Sequence, residues 1–327
     1  MRNTLLLISF SVFASLLNAQ QLQHDIPVHD PVIIRQDSTF YIFCTGVGIS
    51  VWSSHDMKNW KKEAPVFNTP PQWALNAVPG FKGHIWAPDI TYHNGLYYLY
   101  YAVSAFGKNT SCIGLAVNKT LNSSSPFFKW IDKGKVIQSI PGRDMFNAID
   151  PNLIIDENKQ GWLAFGSFWN GIKLVGLNDS LTAPQAQEHW YTIASRKRSF
   201  DIADTLAGDA AIEAPFIFKK DKYYYLFVSF DYCCRGEKST YKIMAGRSEK
   251  VTGPYLDKEG LPMMYGGGSL VLEGDKRWHG TGHNAVIDVG GEDYMVFHGY
   301  DATDNGKSKL RIEKIKWVDG WPAVSEP

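Results

Sequence analysis

The sequence predicts an all-β protein folded as a five-bladed β-propeller. Three observations support this class: an aromatic strand-like run occurs five times, a polar turn precedes each run, and an apolar segment headed by a polar residue precedes each turn. The central aromatic residues of consecutive runs are 57, 64, 62 and 70 residues apart. A repeat of this length, in which each unit is a small antiparallel sheet, is typical of propeller blades.

The aromatic runs define the second strand of each predicted blade. Aromatic and β-branched residues favour strands, and the polar segments before the runs are typical of turns between antiparallel strands. A β-sandwich or a pair of β domains is the alternative, whereas the lack of long helical periodicity argues against an α/β fold. The runs occupy residues 39–43, 96–101, 161–165, 223–227 and 293–297.

The first strand of each predicted blade begins with a short polar motif. The motifs are His29-Asp30-Pro31, Ala87-Pro88-Asp89, Ile149-Asp150-Pro151, Glu213-Ala214-Pro215 and His283-Asn284-Ala285. The first strand of a blade lines the channel of a propeller, so we expect the motifs to converge at one end of the axis. Five polar residues then share one position: Asp30, Asp89, Asp150, Glu213 and His283. Asp89 is the least regular, because it follows its proline and Trp86 leads that unit.

Composition and charge exclude some classes of partner. The 327 residues include 33 basic and 33 acidic side chains. A balanced charge argues against nucleic acid or an electrostatically bound membrane as the partner. The 11 Trp, 16 Tyr and 18 Phe residues suit strands, and they also suit surfaces on which flat ligands stack. Composition alone does not separate these two uses.

The N-terminus has the pattern of an export signal. Arg2 precedes an apolar run from Leu5 to Leu17, and Ala19 is a small residue at the boundary. This pattern is typical of a secretory signal peptide, and the run is too short to span a bilayer. We therefore predict a signal peptide over residues 1–19, one domain over residues 20–327, and a periplasmic or extracellular protein. A buried N-terminal strand or helix is the alternative.

The four cysteines do not form a disulfide scaffold or a metal-binding pattern. Cys44 and Cys112 lie within apolar runs, as small buried residues do. Cys233 and Cys234 are adjacent. They form either a vicinal disulfide in an oxidising compartment or two free thiols, and the sequence leaves both states open.

Acids at the heads of apolar strands are costly to bury, which suggests that they have a task. Carboxylates that share a pocket acquire different pKa values, and glycoside hydrolysis requires such a pair. A turn-capping role is the simpler interpretation of each acid taken alone. Aromatic residues near the acids either stack on sugar rings or pack between blades. His283, which follows Gly280 and Gly282, either binds a metal with waters or is a hydrogen-bonded core residue.

The ordered set of five motifs resembles glycoside hydrolase family 43, and within it the endo-1,5-α-L-arabinanases. Residues 166–169, 230–234 and 239–241 also resemble that group, and the likeness runs from His29 to Pro322. The resemblance implies a single catalytic five-bladed propeller and an inverting mechanism. Its substrate would be arabinan, as a polysaccharide or oligosaccharide, cleaved at internal α-1,5 links. We expect a monomer with no nucleic-acid or membrane partner.

The resemblance also implies roles for eight residues. Asp30 matches the general base, Glu213 the general acid, and Asp150 the carboxylate that raises the acid's pKa and orients it. His283 matches a histidine beside one divalent cation, usually calcium, held largely through water. Trp86 matches the floor of the sugar site, and further substrate contacts are expected from Phe106, Ser167 and Trp169.

Two alternatives to an endo-acting enzyme remain open. An exo-acting arabinanase, an α-L-arabinofuranosidase or a β-xylosidase of the same family would share the three carboxylates. A non-catalytic glycan-binding propeller belongs to another class, and the intact carboxylates argue against it. Loops at the channel mouth decide between an open groove and a closed pocket, and the sequence does not give their shape.

Overall fold

Five antiparallel sheets follow one another along the chain in the computed structural model, which describes residues 25–186 and 189–324. Four sheets have four strands and one has five. The predicted five-bladed propeller is therefore confirmed. The predicted signal peptide, residues 1–19, lies outside the described residues.

The strands of each blade follow the chain from the channel outward. Blade 1 contains β1 (Val32–Gln36), β2 (Thr39–Cys44), β4 (Ser50–Ser54) and β5 (Lys61–Lys62), and the short β3 (Gly46–Val47) pairs with blade 2. Blade 2 contains β6 (His84–His93), β7 (Leu96–Val103), β8 (Ser111–Asn118) and β9 (Ile131–Ser139). Blade 3 contains β10 (Asn152–Ile155), β11 (Gly161–Phe165), β12 (Ile172–Gly176) and β13 (Trp190–Ala194).

The last two blades have the same order of strands. Blade 4 contains β14 (Ile212–Lys220), β15 (Tyr223–Phe230), β16 (Lys242–Ser248) and β17 (Ser269–Glu273). Blade 5 contains β18 (Trp278–Val289), β19 (Glu292–Asp301), β20 (Lys307–Val318) and β21 (Trp321–Val324). In the part of the chain that the structure describes, helical structure is limited to α1 (Gln72–Ala77) and three 3₁₀ turns, Gly236–Lys238, Met263–Tyr265 and Ala302–Asp304. Among the described residues, no helix has the length and apolar character needed to cross a membrane.

The aromatic second strands are buried on both faces because blades pack face to face. On β7, Leu99 and Tyr101 belong to a core shared with blade 1, whereas Tyr98 and Tyr100 belong to a core shared with blade 3. Side chains alternate across a strand, so a strand between two cores has no polar face. This arrangement accounts for most of the aromatic excess in the sequence.

The N-terminal segment closes the ring of blades. The backbone N–H of Val28 donates to Ser308 O, and that of Leu310 donates to Ile26 O. Lys309 adds an ion pair, since its Nζ lies 2.6 Å from Asp25 Oδ2. The segment that leads into blade 1 is therefore fastened to blade 5.

The five innermost strands, β1, β6, β10, β14 and β18, surround the central channel. Their side chains line a cavity of about 350 Å³ inside it. At the heads of these strands the channel opens into a larger cleft. The strand heads carry the polar motifs, and all five blades contribute residues to that cleft.

Candidate active site

The cleft at the channel mouth has a volume of about 700 Å³, within the range of small-molecule binding sites. It is lined by all eight residues that the sequence analysis selected: Asp30, Trp86, Phe106, Asp150, Ser167, Trp169, Glu213 and His283. The predicted convergence of the motifs therefore holds for the residues with expected roles. Asp89 is the exception among the motif acids.

Asp89 holds two blades together instead of facing the cleft. Its carboxylate accepts hydrogen bonds from Asn152 Nδ2 (3.1 Å) and from the N–H of Leu153 (2.8 Å). Burial raises its pKa to about 6, although these two hydrogen bonds oppose the shift. The irregular place of Asp89 after Pro88 was the sequence signal of this difference.

Every blade has a left-handed residue near the cleft end of its innermost strand. Asp30 and Asp150 lie just before β1 and β10, whereas Ala87, Ala214 and His283 lie inside β6, β14 and β18, where the strand pairing is interrupted. Side chains other than glycine rarely adopt such φ values, and strain of this kind concentrates at functional sites. Four of the five residues precede a proline, and the fifth precedes Asn284. The residues and their φ angles are Asp30 (51°), Ala87 (44°), Asp150 (56°), Ala214 (55°) and His283 (52°).

This list corrects the predicted equivalence of the five polar residues. Asp30, Asp150 and His283 occupy the repeated left-handed position, but Glu213 lies one residue before it and Asp89 two residues after it. In the sequence, the polar side chains are the feature by which the blades align. The feature that repeats is the backbone turn, and two blades place alanine there.

Most of these left-handed turns are held by a polar side chain from the preceding blade. The backbone N–H of each donates across the boundary between blades, so an otherwise unpaired buried N–H is satisfied. The pairs are Asp30 to His298 Nδ1 (3.1 Å), Ala87 to Thr45 Oγ1 (2.8 Å), Ala214 to Asp150 Oδ2 (3.1 Å) and His283 to Ser229 Oγ (2.9 Å).

Asp30 is a buried carboxylate that polar groups surround on several sides. Thr45 donates its hydroxyl to Oδ2 at 2.6 Å, and His29 Nδ1 lies 2.8 Å from the same oxygen. His283 Nδ1 lies 3.1 Å from Oδ1. Burial would raise the pKa of Asp30, but His29 and His283 outweigh it and hold that pKa well below its ordinary value. Asp30 is therefore ionised at neutral pH, as a general base must be.

Two hydroxyl groups hold the Glu213 carboxyl. Ser167 Oγ donates to Oε2 and Tyr241 Oη donates to Oε1, each at 2.6 Å. A hydroxyl can also accept a hydrogen bond, so this pair can support the carboxyl with or without a proton. Ser167 therefore contacts the predicted acid itself.

Tyr241 is a site residue to which the sequence analysis gave no role. Its side chain is buried, and it fits against the backbone of Gly282 on the neighbouring blade. A Cβ added at Gly282 would lie 2.1 Å from Cδ1 of Tyr241. The segment 239–241 carried part of the family resemblance, which was the only sequence signal for it.

Asp150 is close enough to the other two carboxylates for their charges to act on it, and it supports Glu213 through the backbone. Its Oδ2 accepts the N–H of Ala214, the residue after Glu213, at 3.1 Å. Burial, followed by the negative charges of Glu213 and Asp30, raises the pKa of Asp150 to about 8, and His283 opposes this shift. The site thus holds one carboxylate in its charged form and favours a proton on another.

His283 is the positive counterpart of the three acids. Burial disfavours its charged form, but Asp30, Asp150 and Glu213 raise its pKa to about 9. Its Nδ1 faces Asp30, so Nε2 is the ring atom free to bind a ligand. Next to it, both side-chain polar atoms of Asn284 are buried without a hydrogen-bond partner among the described residues. Such groups suit bound water.

The aromatic residues of the cleft divide into contact surfaces and supports. The Phe106 side chain is 79% exposed at the rim, and Trp86 is half-buried with its indole N–H donating to His84 Nδ1. Trp169, in contrast, is 1% exposed, and its indole N–H donates to Asp204 O at 2.8 Å. Trp169 therefore mainly supports the loop around Asp204, while Trp86 and Phe106 offer surface to a ligand.

Comparisons with known proteins agree with this geometry. The model of the glycosyl hydrolases family 43 matches residues 25–322. An extracellular exo-α-(1→5)-L-arabinofuranosidase of Cellvibrio japonicus is 54% identical over 92% of this chain and 87% of its own length. An extracellular endo-α-(1→5)-L-arabinanase of Bacillus subtilis is 44% identical over 90% and 87%. The structure of a Cellvibrio cellulosa α-L-arabinanase with arabinohexaose has a TM-score of 0.91 and 53% identity, covering 92% of this chain and 96% of that one.

The fit of Tyr241 against Gly282 can be tested by one methyl group. We expect Gly282→Ala to lower the free energy of unfolding by about 2 kcal/mol, because the added carbon must displace the tyrosine ring from a packed site. Urea denaturation measures this difference. Gly299→Ala is the matched control in the same blade, since its added carbon would find its nearest neighbour at 3.4 Å. Equal losses in the two variants would contradict the close fit.

Proposed function

Because the chain belongs to the glycosyl hydrolases of family 43, we propose that it hydrolyses the α-1,5 links between L-arabinofuranosyl units of arabinan, with inversion at the anomeric carbon. The observation that carries this proposal is the contrast between Asp30 and Glu213 in one cleft. Asp30 is held as an anion, while Glu213 is capped by two hydroxyl groups. The names of both relatives support α-1,5-linked arabinan as the substrate.

Asp30 acts as the base in the proposed reaction. It takes a proton from a water molecule as the water oxygen attacks the anomeric carbon, on the side opposite the leaving oxygen. Thr45 accepts the N–H of Ala87 on its oxygen and gives its own proton to Asp30. This fixed donor keeps Asp30 charged before the reaction and orients the oxygen that receives the proton.

Glu213 acts as the acid. Its proton passes to the glycosidic oxygen while the bond from that oxygen to the anomeric carbon breaks. Asp150 fixes the backbone just after Glu213 through the N–H of Ala214, so it supports the orientation that the family resemblance implies. Release of the base's proton and recovery of the acid's proton from solvent complete the cycle.

A neutral sugar chain suits the surface of the cleft. Trp86 and Phe106 can stack on the apolar faces of furanose rings, and the balanced charge of the chain fits a substrate that needs no electrostatic steering. We propose that the protein is exported and acts as a monomer. The predicted signal over residues 1–19 and the relatives named extracellular support export.

Both internal cleavage and cleavage from a chain end have support. The sequence analysis favours internal cleavage, and the Bacillus subtilis relative is named as an endo enzyme. The more similar Cellvibrio japonicus relative is named as an exo enzyme. Endo action is the function that we carry forward, and exo action is the second candidate.

We also propose one divalent cation, calcium, beside His283 and held mainly by water. The cation would replace the second proton of His283 at Nε2, so that the ring binds it in its neutral form. A histidine that binds a metal usually gives its other ring N–H to a carboxylate, and His283 Nδ1 faces Asp30 in this way. The unpartnered polar atoms of Asn284 suit the waters of such a cation. When bound, the cation would supply positive charge that offsets the repulsion among the three carboxylates.

A product time course on linear arabinan tests the proposed function. We expect a ladder of oligosaccharides at early times, because cuts at internal links give random fragments, and no product from xylan. Proton NMR during the first turnovers should show the new reducing end in the anomeric form opposite to that of the substrate link. A single small product from the start would favour exo action. A retained anomer would exclude the roles of Asp30 and Glu213.

Isosteric variants test the two catalytic carboxyls. We expect Asp30→Asn and Glu213→Gln each to lower kcat by about a thousandfold or more, since each removes a proton-transfer group while keeping the side chain's shape. Asp89→Asn is the control, because this acid is also buried at the channel but bonds between blades. It should lose stability and keep its kcat. A comparable loss of kcat in the Asp89 variant would indicate a general structural effect.

The cation is tested by its effect on stability as well as on activity. After treatment with a chelator, added calcium should raise the melting temperature of the parent protein, because a ligand that binds only the folded state stabilises it. His283→Ala should reduce that increase, whereas His279→Ala on the same strand should keep it. An unchanged melting temperature of the parent across calcium concentrations would remove the proposed site.

A further inference from the structure

A disulfide between neighbouring residues forms part of the cleft wall. Cys233 and Cys234, which the sequence left as either a disulfide or two thiols, are joined to each other. Both line the cleft, and Cys234 is exposed. The other two cysteines, Cys44 and Cys112, are free and buried. A reductant added to the folded protein therefore has one accessible target.

A chain of three polar contacts runs from this disulfide to Asp30. The backbone N–H of Cys234 donates to Tyr300 Oη at 2.8 Å. Tyr300 Oη lies 2.9 Å from His29 Nε2, and His29 Nδ1 lies 2.8 Å from Asp30 Oδ2. All four groups line the cleft or lie directly behind it.

The groups at the two ends of this series of contacts, the Cys234 N–H and the Asp30 carboxylate, determine which atom donates at each contact. A backbone N–H can only donate, so Tyr300 accepts from Cys234 and has its own proton to give to His29 Nε2. When His29 accepts this proton at Nε2, its own ring proton lies on Nδ1. That proton lies on the ring atom 2.8 Å from Asp30 Oδ2, in a close contact that is not aligned as a hydrogen bond, whereas the other tautomer would set two acceptors at that distance.

Packing leaves His29 little freedom other than its tautomer. Its ring stacks on the buried ring of His298, with centroids 4.1 Å apart and an angle of 20° between the planes. Tyr300 is also buried. His29 Nε2 also lies 3.8 Å from the Cys234 sulfur, which has no proton to donate while it is part of the disulfide. The hydrogen bond from Tyr300 is thus the contact that can supply a proton to Nε2 and so leave the proton of His29 on Nδ1.

The disulfide restrains the backbone N–H of Cys234, which is the donor in this series of contacts that belongs to a loop. Cys234 has a φ of 67°, a left-handed conformation that is unfavourable for a side chain with a Cβ. The bond between adjacent side chains closes a small ring around their shared peptide group and restrains the direction of the Cys234 N–H. The rest of the loop is anchored independently, by Arg235 over the Tyr232 ring and by the N–H of Thr240 on Tyr232 O.

We propose that the Cys233–Cys234 disulfide and Tyr300 are positioning elements for the reaction, which fix the tautomer of His29 and so orient Asp30. The inference rests on the proposed role of Asp30 as base. Opening the disulfide lets Cys234 leave the left-handed region and turns its N–H away from Tyr300. Tyr300 is then free to reorient, and His29 no longer has a fixed proton to present to Asp30.

The test compares oxidised and reduced protein, with and without the Tyr300 hydroxyl. A dithiol reagent gives two electrons and two protons to the sulfur pair, producing two cysteine thiols and the reagent's own cyclic disulfide. We expect reduction to lower kcat on arabinan by about tenfold at unchanged KM, and reoxidation to restore it. Tyr300→Phe should show a similar loss while oxidised and no further loss on reduction.

Two further variants keep the result interpretable. Tyr255→Phe removes a buried tyrosine hydroxyl that donates to Val251 O. It therefore measures the effect of losing a buried hydroxyl outside the cleft. We expect this variant to keep the parent's kcat and the parent's loss of kcat on reduction. A double variant, Cys233→Ser with Cys234→Ser, replaces chemical reduction if the disulfide resists the reagent. It should reproduce the reduced protein.

Several outcomes would overturn the inference. An unchanged kcat after reduction, or a change in KM alone, would make the disulfide a bystander or a direct sugar contact. A Tyr300→Phe protein that still responds to reductant would place the effect outside this chain of contacts. Oxidised parent protein that hydrolyses arabinan in those cases keeps the proposed function, whereas a parent without hydrolase activity removes both.

Discussion

The candidate site depends on the left-handed residue near the cleft end of the innermost strand of each blade. That conformation is disfavoured for every residue found there, yet it recurs in all five blades, and in four of them a side chain of the preceding blade accepts the N–H. Four of the five boundaries between blades therefore fix a turn. The side chain that reaches the channel mouth belongs to the turn residue itself, as in Asp30, Asp150 and His283, or to the residue before it, as in Trp86 and Glu213. The contacts that close the ring and the contacts that position the polar groups are largely the same.

One ring of turns produces carboxyl groups with different properties because the partners differ from blade to blade. Asp30 meets Thr45, His29 and His283 and stays charged, whereas Asp150 has one backbone donor, is buried between two acids, and has a raised pKa. The repeated backbone turn thus brings the acids together. Because the side chains around each acid differ from blade to blade, the pKa values of the acids differ as well. The charged Asp30 suits the role of base, whereas Asp150 acts on the proposed acid, Glu213, through the N–H of Ala214.

The sequence predicted the architecture well because the packing between blades determines which residues a strand can contain. A strand buried on both faces must be apolar throughout, and five aromatic runs with polar turns before them leave few other folds. It also predicted that Asp30, Asp150 and Glu213 meet, but it wrongly placed Asp89 with them. It did not identify the support of Tyr241 for Glu213, or the contacts of His29 and Tyr300 with Asp30 and Cys234. Those contacts join residues far apart in the chain, and a tyrosine in a strand has the same local signal whether it packs or donates a hydrogen bond.

The displacement of Glu213 from the repeated position has a chemical consequence. A base and an acid placed at equivalent positions of a ring would approach the substrate in equivalent ways, but inversion needs them on opposite sides of the bond with room for a water. Glu213 leaves the backbone one residue before the turn, still paired with Ser229 in the strand ladder, and it has the longer side chain. Its carboxyl is then held by Ser167 and Tyr241 from two different blades. The shift of Glu213 out of the repeated position thus allows two carboxyl groups, Asp30 and Glu213, to serve as base and acid. Because the turn residue of that blade does not carry the acid, it can be an alanine, Ala214.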